Sequence, residues 1–302
     1  MVLLVLLHSV LMWTTFFCHW TGCAAIPAEV TRMFPAEPKK EGLPEAVEAT
    51  AKYSGRLTSS FLGMAYLIVC VVGLAVGGRI FYQSIAVDVA VPIRWIALVA
   101  AALIGFWIVL YLMPALHMPL MQSLGPRTID LDLAGATANV DRLNALGYIS
   151  AMLLSLTVYT VLYRLRDATD LKQLGKGMKS LNSILYAGTL ILIVGIIFEK
   201  ALLQWAFTFT SRYEPLVKAA DSFTAALLAY DGGYYTLLLA ALYLPAAFML
   251  RRQGARLVDH DPKALEQYGL NFSFTESLPR MFAILGPLLA GPVGELFGRL
   301  SK

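Results

Sequence analysis

Charge is scarce in this chain. Asp, Glu, Lys and Arg together make up 15% of its 302 residues, where a soluble protein carries roughly a quarter. That shortage excludes a conventional solvated surface around a water-soluble core. It also leaves no basic block interleaved with aromatics, so nucleic acid is excluded as a partner. Cysteine is nearly missing. Cys18, Cys23 and Cys70 form neither a zinc pattern nor a disulfide framework, although Cys18 and Cys23 are close enough to pair in an oxidising compartment. Histidine occurs only at His8, His19, His117 and His260. No Ser, Cys and His constellation for nucleophilic catalysis can be assembled from this inventory, and a non-enzymatic role is expected. No internal repeat is visible, so the inverted repeats common in transporters are not evident.

What the chain has in quantity is apolar length. Residues 60–76, 95–113, 146–163, 181–198 and 232–250, with the opening run 2–18, contain no Lys, Arg, Asp or Glu. A hydrocarbon layer of ~30 Å takes about 20 helical residues, with roughly 17 as the floor. Each run must be helical, because a bilayer offers no water to unpaired peptide groups. The expected fold is an all-α polytopic integral membrane bundle with about six transmembrane helices in a single membrane domain covering residues 1–302. The opening run resembles a signal-peptide core but lacks a basic leader, since the first Lys or Arg is Arg32; it is read as a retained membrane helix. Ala- and Gly-rich composition points to a bacterial inner membrane.

Basic residues set the orientation. Arg164, Arg166, Lys172, Lys176 and Lys179 fall in the connection 164–180, and Arg251, Arg252, Arg256, Lys263 and Arg280 in the connection 251–280. Two spans separate these connections, so they share one side, which the positive-inside rule makes cytoplasmic. Arg164 to Lys179 and Arg251, Arg252 and Arg256 form a basic surface for anionic lipid or partners. Residues 24–58 are then external, with Arg32, Lys39, Lys40, Lys52 and Arg56 offset by five glutamates.

Finer features follow from punctuation. Pro27, Pro35, Pro38 and Pro44 make the segment 24–44 irregular, and a short amphipathic surface helix is expected from Pro44 onward. The connection 164–180 is expected to continue the helix before it or to form an amphipathic helix, broken at Gly175 and Gly177, where the chain forms a flexible loop. The helices at 181–198 and 232–250 should extend past Phe198 and start before Gly232, because flanking residues stay apolar. Ala65, Gly73 and Ala75 permit close helix packing. Ser150, Thr157 and Thr160 fall on one helix face, where their hydroxyls can bond across helices or back to their own carbonyls. The tail 281–293, with Gly286, Pro287, Gly291 and Pro292, is too short and too broken for a span. It is expected to form a re-entrant or surface hairpin.

Glu199, Lys200 and Asp231 are the candidate intramembrane polar site. If their helices extend, these charges lie inside the bundle, where an ionisable group marks a pathway or a partner. Lys200 is the expected bridge to Asp231, leaving Glu199 single, with hydroxyls from Tyr230, Tyr234 and Tyr235 nearby. His19 and His117 come to matching depth and could clamp a haem iron between them. Asp130, Asp132 and Asp141 partly match a calcium loop, a fit better explained by chance. Function is expected to be that of a pore-forming, channel-like or structural component acting by assembly, as a homo-oligomer or with other membrane subunits. Two alternatives stand beside it: a small proton- or cation-coupled transporter using Glu199, Asp231 and Pro245, and a haem-bearing redox subunit using His19 and His117.

Overall fold

A computed structural model describes residues 45–85, 133–208, 214–258, 261–271 and 274–300. The expected spans at 2–18 and 95–113, with His19 and His117, lie outside these. Among the described residues every element is a helix: α1 Glu45–Ile85, α2 Leu133–Arg164, α3 Leu171–Thr208, α4 Glu214–Leu257, α5 Pro262–Gln267 and α6 Phe274–Leu300. Four stretches are long and apolar enough to cross a membrane: Leu57–Ser84, Leu143–Arg164, Leu171–Gln204 and Thr224–Leu257. Each contains one of the expected runs. The extensions past Phe198 and before Gly232 are both present, as α3 reaches Thr208 and α4 begins at Glu214.

Helix α3 is the centre of the bundle. On its α1 side, Gly63 and Gly73 of α1 approach Phe198 and Ile191 of α3, so these helices are antiparallel. A Cβ on Gly73 would lie 2.5 Å from Ile191 Cδ1, so a larger residue there would have to displace that side-chain tip. Gly177 and Gly188 of α3 face Leu165, just past the end of α2, and Leu154 within it, and Leu250 and Leu239 of α4, again antiparallel in both cases. Leu174, Met178, Leu181 and Leu185 form the buried stripe that results. Helices α1 and α2 run parallel at constant offset: Ser150 Oγ donates to Cys70 O at 3.1 Å and Thr157 Oγ1 to Gly77 O at 3.3 Å, 80 residues apart in each case. Parallel runs fit the expected order of spans, in which both enter from the same side. The same hydroxyls also bond back to Leu146 O and Leu153 O, and Thr160 Oγ1 to Thr157 O. Both roles anticipated for this face are therefore in use.

The two basic connections meet at one end. Gln253 Nε2 donates to Arg166 O at 2.9 Å and Ala168 O at 3.2 Å, tying the end of α4 to the turn before α3. Arg164, Arg166, Lys172, Lys176, Lys179, Arg252 and Arg256 are exposed there, and Arg251 is half-buried. This is referred to below as the basic end.

Several local expectations are corrected. Gly175 and Gly177 do not break the chain. Helix α3 begins at Leu171, where the Asp170 carboxylate accepts from Lys172 N at 2.9 Å as a cap. The two glycines stand within the helix at close contacts: a Cβ on Gly175 would lie 2.8 Å from Tyr268 O, and one on Gly177 would strike Leu165. The helix expected from Pro44 is not a separate surface element but the first turns of the 41-residue α1. The tail is no hairpin. Residues 274–300 form one continuous helix of 27 residues through Gly286, Pro287, Gly291 and Pro292.

At Pro287 a neighbouring helix repairs the backbone. Pro287 has no N–H, so the carbonyl of Ala283 loses its helical donor. Thr189 Oγ1 of α3 supplies one at 2.9 Å, shared with Leu185 O at 2.8 Å. Thr189→Val keeps the shape and removes the donor, so it should cost about 1 kcal/mol, the scale of interhelical hydrogen bonds in membranes. A lowered melting temperature in detergent checks this; an unchanged one would mean that Ala283 O is satisfied otherwise.

Arg280 is corrected too. Placed by the sequence in the connection 251–280, it is 8% exposed within a helix, with α6 packed against α3 and α4. Its guanidinium shares a hydrogen bond with Tyr243, whose hydroxyl donates to Asn182 Oδ1 at 2.7 Å. Three helices are thereby joined by a polar network near the basic end.

Candidate functional site

Glu199 sits on α3 and Asp231 on α4, and the antiparallel packing of these helices brings the two carboxyls into side-chain hydrogen-bond contact. The sequence suggests Lys200 as the partner of Asp231; the contact that the structure brings out is with Glu199. The cause is angular. Gly177, Gly188 and Glu199 recur every eleven residues, which at ~100° per residue keeps them within about 20° of one line on the helix. That line faces α4, as Leu250 and Leu239 show at the two glycines. Lys200 is turned about 100° from it; it is half-buried and has an interaction of its own.

Tyrosines from three helices surround the acid pair. Tyr148 of α2 and Tyr235 of α4 share a hydrogen bond, and both lie within electrostatic reach of Glu199 and Asp231. Tyr234 is beside them, edge-on to Tyr235 with ring centroids 5.5 Å apart. Tyr66 of α1 completes the ring. It is 8% exposed, stacked on Phe198 at 5.8 Å and in hydrogen-bond contact with Cys70. Close approach here depends on Gly195, where an added Cβ would lie 3.2 Å from the Tyr66 ring, and on Gly147, where any Cβ would strike the Tyr66 hydroxyl. The carboxyls themselves are half-buried and Tyr148 is 42% exposed. Tyr230, expected among the hydroxyls, is 53% exposed and turned from Tyr235 by about 140° around α4.

Depth follows from helix rise. At 1.5 Å per residue, Glu199 lies ~27 Å along α3 from Leu181, and Asp231 ~28 Å along α4 from Leu250. The hydrocarbon layer is ~30 Å thick, so the pair sits toward the margin farther from the basic end. Both helices continue beyond it.

The chemistry available is that of oxygen. A hydrogen bond between two carboxyl groups requires a proton on one of them, since ionised carboxylates only accept. If both ionise, their mutual repulsion favours a cation held between them. Among the described residues no three or more His, Cys, Asp or Glu are grouped so as to hold a metal ion, so phenol hydroxyls and backbone carbonyls are the further ligands at hand beside the acid pair. Sequence reasoning missed Tyr66 and Tyr148. Neither run carried a sign of its register against α3, and only the packing of α1 and α2 brings these rings to the level of Glu199. Comparison with known proteins finds no matching family model, no matching curated protein and no matching solved structure.

Proposed function

We propose that this is a small proton- or cation-coupled membrane transporter in which Glu199 and Asp231 form the exchange site. The carrying observation is the hydrogen-bonded carboxyl pair between α3 and α4, inside a stretch long and apolar enough to span a bilayer. Ionisable groups in such a position are costly and rarely retained without a role. A pair of acids shares one proton in one state and holds a monovalent cation in the other, so exchange of the two leaves the net charge of the site unchanged and no bare pair of carboxylates is formed. Tyr148 and Tyr235 offer hydroxyls that can relay a proton or complete a coordination shell. Pro245 interrupts the hydrogen bonding of α4 on the basic side of the pair and gives that helix a place to bend.

The test is flux. In sealed proteoliposomes carrying a pH-sensitive dye, the wild-type protein should dissipate an imposed proton gradient, or exchange protons for Na⁺ or K⁺. Glu199→Gln and Asp231→Asn should each abolish that flux while the detergent-solubilised particle elutes unchanged. Wild-type flux in both variants would refute the assignment.

A second reading, action by assembly as a pore-forming or structural subunit, is supported by the flank of α1. Leu57, Phe61, Met64, Ile68 and Val72 are all exposed and recur at helical spacing, presenting an apolar stripe to lipid or to another helix. A particle mass at a multiple of the chain, with no flux from the wild type, would favour that reading.

A further inference from the structure

We propose that α6 crosses the membrane as a further span and forms one wall of the acid-pair site, with Gly232 as the residue that positions it. The wall rests on the reading of Glu199 and Asp231 given above; the crossing does not. The observations are directional. Moving along α6, Arg280 lies against Tyr243 near the basic end, and the Ala283 carbonyl meets Thr189. Gly286 then closes on Ile193, and Ala290 clusters with Ile196 and Leu228. Every step advances in the direction of α3 and against that of α4, so α6 runs from the basic end toward the far one.

Length completes the argument. A helix of 27 residues is ~40 Å long at 1.5 Å per residue, more than the ~30 Å hydrocarbon layer. Its apolar part, Ser277–Gly291, is shorter than a lone span would need. The deficit matters less here because α3 and α4 cover one side of α6, so Arg280 is buried in protein and not in lipid.

Gly232 sets where α6 passes. It follows Asp231 directly, and a Cβ on it would lie 2.6 Å from Pro287 O and 3.0 Å from Leu288 Cα. The backbone of α6 at 287–288 is therefore level with the acid pair. Helix α6 then continues to Leu300, ~18 Å beyond Leu288, which carries it past the pair to the far surface.

Labelling from one side decides it. Ser301→Cys and Lys263→Cys are treated in sealed, uniformly oriented vesicles with a membrane-impermeant maleimide, and the modified residue is located by peptide mass. Lys263 is exposed in the connection at the basic end. The two cysteines should react from opposite faces, and each should lose its labelling when the reagent is confined to the other face. Reaction of both from the same face would overturn the crossing. So would a Ser301→Cys that reacts from neither face until detergent is added, which would leave that end within the bilayer. Elution of both variants at the wild-type position guards against misfolding, and the result is independent of whether Glu199 and Asp231 carry flux.

Discussion

Gly232→Val should unseat α6 and cost about 3 kcal/mol or more, toward the upper end of what overpacking produces. The obstacle is backbone on both sides of the contact. A Cβ at this position meets Pro287 O at 2.6 Å and Leu288 Cα at 3.0 Å, and neither atom can swing aside as a side-chain tip would. Helix propensity argues the other way, since replacing glycine inside a helix usually gains about 1 kcal/mol. The neighbouring position separates the two effects. A Cβ on Gly233 meets nothing within 4 Å, so Gly233→Ala should hold or raise the melting temperature in detergent, while Gly232→Val lowers it sharply. Equal gains at both positions would mean that α6 does not touch α4 there.

Leu181→Ala is the second large loss, at roughly 2–5 kcal/mol, the range for emptying a buried leucine site. Leu181 is 1% exposed in the stripe by which α3 meets its neighbours, whereas Leu190, nine residues along the same helix, is 47% exposed. In a bilayer the cost is one of lost contacts more than of hydration, because lipid tails are as apolar as leucine. Leu190→Ala, with lipid free to fill the space, should therefore change stability little. Thermal unfolding of the two variants side by side gives the comparison. Similar losses would show that the side of α3 bearing Leu190 is covered by protein.

The candidate site was half legible from residue types alone. Glu199 and Asp231 stood out because acids next to long uncharged runs are unusual, and the apolar flanks of both runs implied that their helices continued. Pairing was a different matter. Glu199 and Lys200 are adjacent, and nothing in the order of residues says which one faces α4; the glycine line through Gly177 and Gly188 answers it. The tail misled for a related reason. Pro287 and Pro292 break an isolated helix, but Thr189 on another helix stands ready to satisfy the carbonyl that Pro287 strands. Arg280 belongs by sequence to a basic connection, but α3 and α4 pack against its helix and bury it.

The line between the two sources of knowledge follows the physics. A bilayer acts on each helix singly, so the length of uncharged runs located the spans that the structure describes, and the placement of Arg and Lys put both basic connections at one end. Helix-to-helix recognition is collective. It turns on which few ångströms of one surface a glycine leaves open for another, and contacts of that kind, not composition, joined Glu199 to Asp231, ringed them with Tyr66, Tyr148 and Tyr235, and let α6 run unbroken between α3 and α4.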